Sequence, residues 1–184
     1  MNKHYITAEA LLADSIRLGR QIHDSGFAPT HIVGIWRGGA PVGIAVQEYL
    51  AWRGVDSDHI AIRTSSYSGI DQQDRDVHVF GESYLVDTLN ADDRLLIVDD
   101  VFDSGRSIEA VFNVLRAKCR RNFPGAVKVA TVYSKPTRNR TALTPDYFVH
   151  ESEDWLVFPH EFCGLTDEEI AAKGEIGRVV LGED

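Results

Sequence analysis

The chain has 184 residues, 43% of them hydrophobic and 26% charged, the balance of one globular domain with a sizeable core. Its formal net charge is −9, so the basic face of a nucleic-acid binder is not expected, and an anionic ligand would need local devices to hold it. No apolar run is long enough to cross a membrane, and Met1 to Tyr5 is polar, without the pattern of a signal peptide.

In chain order, Thr7 can cap a helix over 8–25, with Leu11, Leu12, Ser15, Leu18 and Ile22 near one face and Gly26 as its stop. Residues 31–36 form a short apolar strand. Arg37-Gly38-Gly39 makes a tight loop, and Pro41 sits in the first turn of a helix that stops at Gly54. Residues 59–63 suit a second strand. The stretch 64–81 is rich in Ser, Gly, Asp and Gln and reads as a long mobile loop; loops of that length in compact domains are usually functional. A short helix is expected over 83–89, a strand over 95–98, a helix over 107–121 and a strand over 127–133. Residues 135–145 are polar and irregular, 147–149 and 155–158 are short β pieces, and 166–184 is a weak helix with a polar tail. Strands alternating with helices predict an α/β fold, a parallel sheet flanked by helices, in a single domain over 1–184. Cys119 and Cys163 form no Cys-x-x-Cys pair and no metal spacing, and a reducing cytoplasmic setting is expected. Neither Gly-x-Gly-x-x-Gly nor a Walker loop is present, which counts against dinucleotide and ATPase chemistry.

The most informative run is Leu95 to Ser107. Leu95-Leu96-Ile97-Val98 reads as a strand buried on both faces. Asp99 and Asp100 stand at its carboxyl end, where open α/β sheets bind ligands. Asp103-Ser104-Gly105-Arg106-Ser107 then feeds a helix. The free amides of a helix N-terminus attract anions, so a phosphate is expected on Ser104, Gly105, Arg106 and Ser107. The acid pair is left for sugar hydroxyls or a metal. Read alone, Asp103 also suits a helix N-cap, Lys135 a solvated lysine and Trp155 a core aromatic.

Leu-Ile-Val-Asp-Asp-Val-Phe-Asp-Ser-Gly-Arg-Ser resembles the PRPP-binding signature of type I phosphoribosyltransferases, in the form carried by the 6-oxopurine enzymes. Ser104 stands where the family usually has Thr. The resemblance covers residues 30–161 and implies a core over about 27–134. A small hood would come from the N-terminal helix and about 135–165. It implies transfer of the 5-phosphoribosyl group from PRPP to hypoxanthine, guanine or xanthine, with Mg²⁺ as cofactor and a homo-oligomer, dimer or tetramer, as the assembly. Trp36-Arg37-Gly38-Gly39 resembles the pyrophosphate loop, written Ser-Arg-Gly-Gly in xanthine–guanine enzymes, with Arg37 and Gly38 on PRPP. In relatives this loop can hold a non-proline cis peptide.

The same resemblance assigns the remaining roles. Asp99 and Asp100 would bind the ribose hydroxyls directly or through Mg²⁺. Asp103 would accept the N7 proton. Lys135 would donate to the 6-oxo group and disfavour adenine. Asp154-Trp155-Leu156 through Glu161 resembles the hood segment, with Trp155 stacking on the base and backbone near Leu156 meeting its 2-position. Glu161 stands where relatives carry an Asp that helps hold Mg²⁺. Ser65, Ser66 and Tyr67 resemble the catalytic loop that closes over PRPP. A PRPP-sensing regulator without catalysis, and a transferase for another base, are the alternative readings.

Overall fold

The computed structural model describes residues 3–66 and 77–183. The chain runs through β1 (Lys3–Tyr5), α1 (Ala8–Asp24), β2 (His31–Trp36), α2 (Gly39–Trp52), β3 (Asp58–Ser66) and β4 (Val77–Phe80). It continues with α3 (Ser83–Thr88), β5 (Arg94–Phe102), α4 (Arg106–Cys119), β6 (Ala126–Ser134), β7 (Tyr147–Glu151), β8 (Trp155–Val157), α5 (Asp167–Ala171) and α6 (Glu175–Leu181).

Leu95, Leu96, Ile97 and Val98 of β5 are all fully buried. Leu96 and Val98 pack with Leu18 and Ile22 of α1 and Val46 and Leu50 of α2. Leu95 and Ile97 pack with Leu85 of α3 and Val111 and Leu115 of α4. A strand covered on both faces needs apolar side chains at every position, which explains the unbroken run. The main sheet has the order β4-β3-β2-β5-β6-β7. Its pairs are parallel except β3–β4, which is antiparallel. Connections leave β2 toward β3 on one side and β5 toward β6 on the other. The strand order therefore reverses between β2 and β5, the place where such sheets open a ligand crevice.

Three expectations change. β5 does not end at Val98: its ladder with β6 continues through Asp99, Val101 and Phe102, while its ladder with β2 stops at Gly34–Val98. The acid pair is thus part of a strand that outruns its neighbour, which fixes both backbones. The stretch 64–81 is not wholly a loop. β3 runs on to Ser66 and pairs with β4, Ser65 opposite His78 and Ser66 opposite Val77. The alternation in Val77-His78-Val79-Phe80 is the signal for that edge strand. Ser65 and Ser66 therefore belong to strand backbone, and Tyr67 lies outside the described residues.

The third change concerns the hood. α1 lies on the main sheet, with Leu18 and Ile22 in its core, and starts where Thr7 accepts the amide of Ala10 at 3.1 Å. The N-terminal segment reaches the hood through β1 instead, which pairs with β8 in a separate two-stranded parallel sheet. Lys3 ties β1 to Glu169 of α5.

Candidate active site

Glycines bring the loop after β2 against the acid pair. A Cβ on Gly38 would stand 1.8 Å from Asp100 Oδ2, and one on Gly39 would stand 2.5 Å from the carbonyl of Val98. No side chain fits either position, so the loop backbone lies directly on Asp99 and Asp100. The Trp36–Arg37 peptide is cis, as the resemblance implied for this loop.

A cavity of about 510 Å³ opens at this point. Arg37, Gly38, Asp99, Asp100, Asp103 and Ser107 form its sheet side. Lys135, Trp155, Leu156 and Glu161 form its hood side. An adjoining niche of about 70 Å³ is lined by Asp99, Asp103, Ser104, Gly105 and Ser107. The opening of α4 thus presents its unpaired first-turn amides to a small polar recess beside the acids. Arg106 lines neither space, and Ser65 lies outside both.

Gly105 is required by the packing behind it. It sits at φ +77, and a Cβ there would meet Thr141 Oγ1 at 2.6 Å and Phe102 Cζ at 2.7 Å. Its lack of a side chain is required by the segment packed behind it, whose Arg140 amide donates to the Ser104 carbonyl at 3.0 Å.

The Asp99 carboxyl is held well above the usual carboxylate range, by burial first and by the neighbouring Asp100 second. Two adjacent acids with too little water favour a ligand that donates hydrogen bonds or brings positive charge. That donor set fits Mg²⁺ on one or two carboxylates, with water and substrate oxygens completing an octahedron. Among the described residues, no three of His, Cys, Asp and Glu gather as a metal cage. The set Asp99, Asp100 and Glu161 is therefore not assembled. Glu161 Oε2 accepts the Phe158 amide at 3.0 Å, while Lys173 holds the Phe158 carbonyl at 2.6 Å. Glu161 secures the turn after β8.

Lys135 is buried, and its Nζ donates to the Asp154 carbonyl at 2.6 Å, joining the end of β6 to the hood. Trp155 is half exposed on the cavity wall. Thr64, Arg138 and His160 also line the cavity; Thr64 and His160 fall within segments that the resemblance matched but were not singled out, and Arg138 had no sequence signal. Arg138 Nε lies 2.7 Å from Asp103 Oδ1. The His160 ring stacks on Phe158, and its Nε2 lies 3.7 Å from Asp100 Oδ2. In the sequence Arg138 is one polar residue in a polar stretch, with no periodicity to set it apart.

A mostly parallel α/β sheet whose switch-point crevice holds an acid pair, a glycine loop and a helix N-terminus is a ligand site of the doubly wound class. The phosphoribosyl transferase domain model matches residues 2–165, and the chain belongs to that family. It is 34% identical to the xanthine-guanine phosphoribosyltransferase of Cereibacter sphaeroides, over 80% of this chain and 77% of the relative. In fold it is similar to a purine phosphoribosyltransferase from Pyrococcus horikoshii Ot3, with TM-score 0.68, 24% identity, and coverage of 90% of this chain and 98% of the other. It is also similar to a Neisseria gonorrhoeae protein solved with bound ppGpp, with TM-score 0.74, 16% identity and coverage of 97% of both chains.

Proposed function

We propose that this enzyme salvages purines, transferring the 5-phosphoribosyl group of PRPP to N9 of hypoxanthine, guanine or xanthine and releasing pyrophosphate. The observation that carries this reading is one cavity lined by Asp99, Asp100, Asp103 and Lys135, beside the recess at Ser104 and Ser107. The xanthine-guanine relative supports the substrate class.

The 5′-phosphate sits in the recess, on the first-turn amides of α4 and the hydroxyls of Ser104 and Ser107. Asp99 and Asp100 hold the ribose hydroxyls directly or through Mg²⁺, which these two carboxylates would hold and which would supply neutralisation of charge on the leaving pyrophosphate. Arg37 and the amides around Gly38 hold that pyrophosphate. The base stacks on Trp155, with backbone near Leu156 at its 2-position. Lys135 turns from the Asp154 carbonyl to the 6-oxo group, and Asp103 takes the N7 proton as the bond to N9 forms.

The protein works as a homo-oligomer, a reading supported by the exposed apolar side chains Leu12, Ile44 and Trp52. Its setting is the cytoplasm, a reading supported by two unpaired cysteines. Among the described residues no helix is long and apolar enough to cross a membrane.

Incubation with PRPP, Mg²⁺ and guanine should yield guanosine 5′-monophosphate and pyrophosphate in equal amounts. Binding of PRPP without any nucleotide product from a purine would overturn the proposal in favour of a sensor.

A further inference from the structure

Asp103, the proposed proton acceptor, is not alone. Its Oδ1 has essentially no exposed surface, and no aligned hydrogen bond reaches it. The group that does approach is the Arg138 guanidinium, with Nε at 2.7 Å, so the two meet as an ion pair with the N–H off line. Both residues line the cavity. Oδ1 therefore faces Arg138 at the cavity wall.

Arg138 is itself held. It closes the 3-10 turn Pro136–Arg138, and its amide donates to the Lys135 carbonyl at 3.1 Å. Thr137 of that turn is clamped by Glu153: its amide donates to Oε1 at 3.3 Å, and its hydroxyl donates to Oε2. Glu153 adjoins Asp154, whose carbonyl takes Lys135. One short turn thus fixes Lys135, Arg138 and the approach to β8 together.

We propose that Arg138 is a positioning residue, which pairs with Asp103 Oδ1, fixes the carboxylate and leaves Oδ2 aimed at the N7 edge of the base. The inference rests on the purine reading above. A general base needs a fixed direction as well as basicity, and an orienting partner on its second oxygen supplies it. The two side chains are 42% and 39% exposed, so the pair itself adds little stability, but the Oδ1 atom that Arg138 faces is shut away from water, and the contact serves to orient the carboxylate.

The test is a double-mutant cycle on turnover of an oxopurine that the wild-type enzyme uses. Arg138→Ala should lower kcat about ten- to a hundredfold, the equivalent of a lost charge-assisted contact, with KM for PRPP nearly unchanged. Arg138→Lys should recover part of the loss, because it keeps the charge without the fixed fork. In an Asp103→Asn background, Arg138→Ala should cost almost nothing further. Full additivity of the two substitutions would overturn the assignment while leaving the purine reading intact. A readout independent of turnover is the side-chain ¹³Cγ resonance of Asp103, which should move in Arg138→Ala. An unchanged resonance would overturn the pairing even in a chain with no activity on any purine.

Discussion

Gly38 shows how a single residue type can decide a site. Its value lies in what it does not carry, since any Cβ would enter the Asp100 carboxylate. Gly38→Ala should force the loop off the acid pair, costing about 1–3 kcal/mol of stability by overpacking and weakening PRPP binding. Denaturant melts and calorimetry with PRPP would check this, and unchanged values in both would mean that the loop has room to yield. Asp99 carries a second prediction, on pH. Its carboxyl is raised by burial and by Asp100, so the folded chain holds that proton more tightly than the unfolded chain. The stability it lends is full in acid, below the unfolded value, and is lost as pH rises through the folded value. Without ligand, Asp99→Asn should therefore melt higher than wild type at neutral pH, and the gap should close in acid. A gap that is the same at all pH values would contradict the assigned direction.

At the scale of elements, much of the fold was legible in the sequence. The residues 95–98 gave a central strand because burial on both faces leaves no polar position. Thr7 and Gly26 bracketed α1 because caps and stops are local chemistry. What stayed hidden depended on partners distant in sequence. β1 is three polar-edged residues, Lys3–Tyr5, and exists because β8 lies beside it. Asp99 and Asp100 are in a strand because β6 continues alongside, although their own propensity favours a turn. Likewise Arg138 and His160 become site residues only through what they face. The junction of β5 and α4 gives the element-scale prediction. Gly105→Ala should cost about 1–2 kcal/mol for its left-handed backbone, plus the crowding with Thr141 and Phe102. Gly26 has φ +80 and nothing within 4 Å of an added Cβ, so Gly26→Ala should show the backbone cost alone. Equal melting shifts in the two variants would show that the segment behind Gly105 does not constrain it.

Across the whole molecule, a chain of net charge −9 is proposed to hold PRPP, a polyanion. The fold answers this locally. One helix N-terminus, the Arg37 loop and a cation-seeking acid pair converge where the sheet reverses, and the hood closes the other side. The ends of the cavity then divide the work. In the function proposed above, the sheet side would hold the sugar phosphate, and the side lined by Lys135 and Trp155 would select the base. Steady-state kcat/KM should be measured with PRPP and Mg²⁺ for guanine, xanthine, hypoxanthine and adenine, in wild type and in Lys135→Gln. The wild type should turn over at least one oxopurine and reject adenine, and Lys135→Gln should lose about ten- to a hundredfold on the oxopurines, as expected for a hydrogen bond from a charged donor. Robust turnover of adenine with none of the oxopurines would contradict the proposed function.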